Sequence, residues 1–156
     1  MDSTVLTTED ALRELVLFQL GQRTHAIDLH DIREIIPRRP ATRIPGAAHD
    51  VAGLINVRGT IVTVIDLGAR LNARPSNIDG SVILVQHGQK LVGIAVDEVS
   101  QVLRLSPAEI DPVQGDSAST TGLPSEHGGV VNGLGHSGDS IVIILDIHTI
   151  IKHVLL

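Results

Sequence analysis

The chain has 156 residues, with 12 Lys and Arg against 18 Asp and Glu, for a formal charge of −6. It contains no Cys, Trp or Tyr and one Phe, which excludes disulfides, thiolate nucleophiles and Cys-ligated zinc. The acidic balance and missing rings also argue against nucleic acid, which wants a basic face and stacking platforms.

The N-terminus is acidic and lacks the basic n-region of a signal peptide. The longest apolar runs, Ser81–Val85 and Ile141–Leu145, fall far short of the roughly 20 residues of a membrane helix. The absence of Cys fits a reducing compartment, and a soluble cytoplasmic protein is expected.

In chain order, residues 1–13 read as a tail, with a weak helix-start signal at Thr7-Thr8-Glu9-Asp10. Leu15–Leu20 and Thr24–Leu29, joined through Gly21-Gln22, read as a hairpin. Three more hairpins follow the same rule. They are Val51–Val57 with Ile61–Ile65, Val82–Val85 with Leu91–Val96, and Val130–Leu134 with Ile141–Leu145. Helical turns are expected at Asp31–Ile36 and Ser106–Ile110, and a helix after Asp146. Short strands with Gly turns predict an all-β barrel or sandwich.

The chain also repeats itself. A shift of 67 aligns Gln19/Gln86, Gly21/Gly88, Gln22/Gln89, Ile27/Ile94, Ile32/Val99 and Ile35/Val102. A shift of 80 aligns Gly53/Gly133, Leu54/Leu134, Ile61/Ile141, Ile65/Leu145 and Asp66/Asp146. The thirteen extra residues of the second copy fall within Gln114–Gly129, a polar stretch that reads as a surface loop. Each module, of roughly 60–70 residues, is small for an independent core. The two are therefore expected to share one, with Asn72–Gly80 as the connector. Approximate subdomains are 14–75 and 80–156.

Chemical motifs are sparse. Gly133-Leu-Gly-His-Ser-Gly138 matches G-x-G-x-x-G, yet a strand follows where a dinucleotide site needs a helix, so it reads as a hairpin turn. Eight His occur without metal-ligand spacing and read as surface residues. Asp66 and Asp146 close equivalent strands and read as helix N-caps. No triad or nucleophile frame appears, so no catalytic residue, cofactor site or metal site is expected. Arg33, Arg38, Arg39 and Arg43 form a basic cluster, either solvated or poised for an acidic partner. Arg58, a lone cation between apolar strands, is expected to reach a carboxylate or carbonyls across its turn.

Gly53-Leu-Ile-Asn-Val-Arg-Gly59 with Ile61-Val-Thr-Val-Ile-Asp-Leu67 resembles the core of the CheW family of chemotaxis coupling proteins. Ile32-Arg-Glu-Ile35, Val92-Gly-Ile-Ala-Val-Asp97 and Gly133-Leu-Gly135 through Asp146-Ile147 are similar to its other segments, in order. The likeness spans about Glu14 to Val154. It implies a CheW-like domain over 14–156, built as two five-stranded Src-homology-3-like barrels sharing a core. It further implies a non-catalytic adaptor between chemoreceptor tips and the regulatory domain of the histidine kinase CheA, held in the cytoplasm at receptor arrays on the inner face of the membrane without inserting into it. A CheW-like scaffold of a non-flagellar chemosensory pathway is the alternative, and a small ligand-binding β-barrel a lesser one. Receptor-side contacts implied are Ile32, Glu34, Gly53, Arg58, Gly93, Val99 and Val102; Ile35 is kinase-side. The chain departs from the family at Thr63, where Pro is usual, at His25, where an aromatic is common, at Gly68, and in the longer segment 114–129.

Overall fold

The computed structural model describes residues 12–71, 80–112 and 130–155. Most of the expected tail, the 72–79 connector and the 114–129 loop lie outside those residues. In chain order come β1 (Arg13–Leu20), β2 (Arg23–Asp28), β3 (Ile32–Pro37), β4 (Val51–Val57), β5 (Thr60–Asp66) and α1 (Leu67–Arg70). Then come β6 (Ser81–His87), β7 (Lys90–Val96), β8 (Glu98–Leu105), β9 (Ile110–Pro112), β10 (Val131–Ser137), β11 (Ser140–Leu145) and α2 (Ile147–Leu155). Single 3-10 turns lie at Leu29–Asp31 and Pro107–Glu109.

The four expected hairpins form, and the architecture is all-β with few helices. The Asp31–Ile36 segment differs from expectation. Its spacing of Ile32, Ile35 and Ile36 imitates a helical stripe, but the chain is extended and β3 pairs with β6. β-Branched residues resist the helix and favour the pleat.

The strands form two sheets, in the orders β8-β1-β2-β11-β10-β9 and β3-β6-β7-β5-β4. The repeat is visible pair by pair. Phe18 faces Val99 as Val85 faces Ile32, and Ile143 faces His25 as Thr63 faces Val92. Neither sequence half builds a sheet by itself. The opening hairpin of each half, β1-β2 or β6-β7, sits between strands of the other half. The sequence halves and the sheets thus divide the chain differently.

The reason lies in the side chains. Strands buried on one face alternate, whereas strands buried on both read as continuous apolar runs. Along β1, Leu15 and Leu17 enter the interior of the six-stranded sheet, while Phe18 and Leu20 enter a second cluster shared by both sheets. Along β6, Val82 and Leu84 enter the interior of the five-stranded sheet, while Ile83 and Val85 enter the same shared cluster. Ile147, Ile150 and Ile151 of α2 close that cluster. A buried carboxylate fastens one exchanged hairpin: Gly21 N–H at the β1–β2 turn donates to Asp97 Oδ2 at 2.8 Å.

One sheet has six strands where five were expected. Thr42 bridges Leu54 as an isolated residue, while its counterpart segment extends into the three-residue β9 against Gly133–Gly135. Asp66 and Asp146 do cap α1 and α2, accepting from Ala69 N–H at 3.1 Å and Thr149 N–H at 3.2 Å. Such caps contribute about 1 kcal/mol each, which matters most to the four-residue α1.

His25 corrects the surface reading of the histidines. It is buried against Phe18, ring centroids 6.1 Å apart, and its Nδ1 donates to the Arg23 carbonyl at 3.2 Å. Its Nε2 is buried without a partner, so burial drives the imidazole pKa down to about 4.

Two outcomes follow from this architecture. Fragments 1–79 and 80–156, made separately, should each lack a cooperative unfolding transition by circular dichroism, because each lacks the hairpin that the other half inserts between its strands. Stability of the whole chain should be full above pH 6.5 and fall as pH drops toward 4, because the unfolded His25 binds a proton that the folded one refuses. The His25 contribution is about 3 kcal/mol at most. Urea midpoints against pH would read it, and His25→Phe should flatten that part of the profile.

Candidate partner-docking site

β3 carries three of the expected contact residues and β8 carries two. Ile32 and Val99 occupy equivalent positions and pack half-buried against the shared cluster. Ile35 and Val102 are likewise equivalent, and both are exposed, at 40% and 51%. Two related strands therefore present the same apolar position on two different faces.

Arg58 stands at the β4–β5 turn with φ 50°, alone among described non-glycine residues in the left-handed region. Its counterpart by the repeat is Gly138, φ 62°. A left-handed backbone is unfavourable for a residue with a Cβ, so the arginine is held where glycine would be easier. Its guanidinium forms an ion pair with Glu34 on β3, with a further Nη1 to Oε2 contact of 3.3 Å. Both side chains remain in solvent. The hydrogen bond from Arg58, more than the bare charge, holds the Glu34 carboxyl below its ordinary range, and Glu34 in turn raises Arg58. The pair joins the two edge strands of the five-stranded sheet. Arg39 Nη1 adds a second link, donating to the Asn56 carbonyl at 3.0 Å. In the other half, Gln101 and Gly138 occupy these positions and cannot form such a pair.

Two expected contact residues lie inside the fold. Gly53 sits at a bulge with φ 142°, and a Cβ there would meet the Thr42 carbonyl oxygen at 2.3 Å. Gly93 faces the interior of the five-stranded sheet, where a Cβ would meet Val82 and Val64 at 3.0 and 3.2 Å. Both positions shape the barrel that carries Arg58 and Glu34.

Sequence reasoning missed Ile61 and Ile141, which are 60% and 57% exposed near the starts of β5 and β11. The repeat pairs them, and that pairing was the available signal. Their apolar neighbours masked it, since both open strands whose later residues are buried. Ile35, Ile61, Val102 and Ile141 thus make two equivalent pairs of exposed large apolar side chains.

Metal-ligating side chains meet at Asp28, His30 and Asp31, whose donor atoms lie within 4.8 Å of one another. These groups already have partners. Arg13 Nη2 donates to both Asp28 oxygens at 3.1 and 3.0 Å, and His148 Nε2 donates to Asp31 at 2.9 Å. No described helix is long and apolar enough to cross a membrane.

Gly53→Ala should destabilise the fold by about 2 kcal/mol or more, because backbone must move to admit the Cβ. Arg58→Gly should not lower the melting temperature, since the turn gains a residue suited to its φ and loses only a solvent-exposed ion pair. Thermal unfolding by circular dichroism checks both.

Residues 14–155 match the CheW-like domain family. The chain is 34% identical over 149 residues to Chemotaxis protein CheW of Klebsiella aerogenes, covering 94% of this chain and 86% of that protein. It is 30% identical over 84 residues to Protein PilI of Pseudomonas aeruginosa, covering 53% of this chain and 47% of that one. The crystal structure of the scaffolding protein TtCheW from Thermoanaerobacter tengcongensis aligns with a TM-score of 0.76 at 26% identity, over 90% of this chain and 92% of that one.

Proposed function

The chain belongs to the CheW-like domain family, and on that premise we propose that it is a non-catalytic adaptor linking chemoreceptor tips to the regulatory domain of the kinase CheA in cytoplasmic receptor arrays. The observation that carries the reading is the exposed Glu34–Arg58 pair beside exposed Ile35. An ion pair left in solvent contributes little to stability, and a left-handed arginine is a cost to the turn. A role in contact with another protein accounts for both. Ile32, Val99 and Val102 supply apolar area to the receptor contact, Gly53 and Gly93 hold its frame, and Ile35 serves the kinase.

The likeness to PilI favours a second reading, in which the same adaptor serves a non-flagellar chemosensory pathway. The two readings share one mechanism and differ in which receptor and kinase occupy the faces.

Purified protein added to receptor membranes with the co-encoded kinase should raise kinase autophosphorylation. Arg58→Ala and Glu34→Ala should each lower that activation at least tenfold while the far-ultraviolet spectrum and melting temperature stay unchanged. Full activation by both variants would remove the pair from the docking site.

A further inference from the structure

The basic cluster of the sequence is not used by the Glu34–Arg58 pair, and it has its own geometry. A cavity of about 580 Å³ opens beside the β3–β4 connection. Arg38, Arg39 and Arg43 line it, and its floor is the partly buried Ala41 and Ala52, packed on the buried Val64, Val82 and Ala95 of the five-stranded sheet's interior cluster. The one carboxylate in its wall, Asp66, is already turned to Ala69 N–H. Arg39 is engaged by the Asn56 carbonyl and feels the Glu34 charge. Among the described residues nothing pairs with the guanidinium of Arg38 or Arg43. Two uncommitted cations thus flank an apolar floor on a chain whose net charge is −6.

We infer that this cavity is a docking site for an acidic segment of a partner protein, an apolar side chain seated on the Ala41 and Ala52 floor with flanking carboxylates on Arg38 and Arg43. Guanidinium pairs well with carboxylate in forked geometry. A local positive patch on an acidic molecule orients an incoming acidic partner rather than merely attracting it. The floor supplies what a simple anion could not use. The volume lies in the range of built recognition pockets, and its small floor side chains leave room for an aliphatic anchor. The proposal extends the adaptor reading, and rests on it only in taking the occupant to be protein.

The test uses the full chain and an acetylated, amidated peptide, Glu-Glu-Leu-Glu-Glu, followed by amide chemical shifts. Saturable shifts should concentrate at residues 38–43 and Ala52. Raising salt should weaken binding. Arg38→Glu with Arg43→Glu should weaken it at least tenfold; the milder pair Arg38→Gln with Arg43→Gln should weaken it less, with the spectrum otherwise native. Arg33→Glu, in the same basic cluster but outside the cavity, should leave binding unchanged, and Glu-Glu-Gly-Glu-Glu should bind at least tenfold less well. Absence of saturable shifts would overturn the proposal. So would equal weakening by Arg33→Glu, equal binding of the glycine peptide, or citrate matching the leucine peptide, which would mark a small-anion site. Kinase activation by Arg58→Ala reads the adaptor function separately, so failure of one reading is told apart from failure of the other.

Discussion

The structure depends on the burial of both faces of two hairpins. Consecutive residues Leu15–Phe18, Ala26–Ile27, Val82–Val85 and Ile94–Val96 are buried whichever face they point to, so neither β1-β2 nor β6-β7 can lie on a surface. Each must have a barrel interior on one side and the other half of the molecule on the other. Exchange of the hairpins between sheets satisfies both demands at once. It also ties the halves through main-chain ladders and not only through side-chain contact, since β1 pairs with β8 and β5 pairs with β7. A duplicated chain of modest length thereby becomes one cooperative body.

Symmetry of the frame makes the departures from symmetry informative. The caps at Asp66 and Asp146, the bulges at Gly53 and Gly133, and the exposed Ile61 and Ile141 occur in both halves. Arg58 against Gly138, Glu34 against Gln101, and the uncommitted Arg38 and Arg43 occur in one. The shared features build the fold, and the unshared ones distinguish its faces.

Much of this was legible in the residues. Gly turns and apolar runs located the hairpins, and Gly and Asp in constant register located the repeat and both caps. The expectation that Arg58 reaches a carboxylate is met by Glu34, 24 residues away in sequence. What the sequence hid has physical causes. The Ile32, Ile35, Ile36 spacing suits a helix until pairing with β6 decides otherwise. The hairpin exchange leaves no local trace, because a strand buried on both faces reads the same whichever sheet it joins. His25 looks like a surface residue until Phe18 and the Arg23 carbonyl are placed around it. The exposed Ile61 and Ile141 vanish into apolar runs whose burial changes partway along.

The central claim is that both halves stand or fall together because their hairpins are interleaved. Native-state hydrogen exchange tests it most directly. Amides of β1, β2, β6 and β7 should share one opening free energy, equal to that of global unfolding, and respond alike to added denaturant. Two separate sets of opening energies, dividing the chain near residues 72–79, would contradict the account.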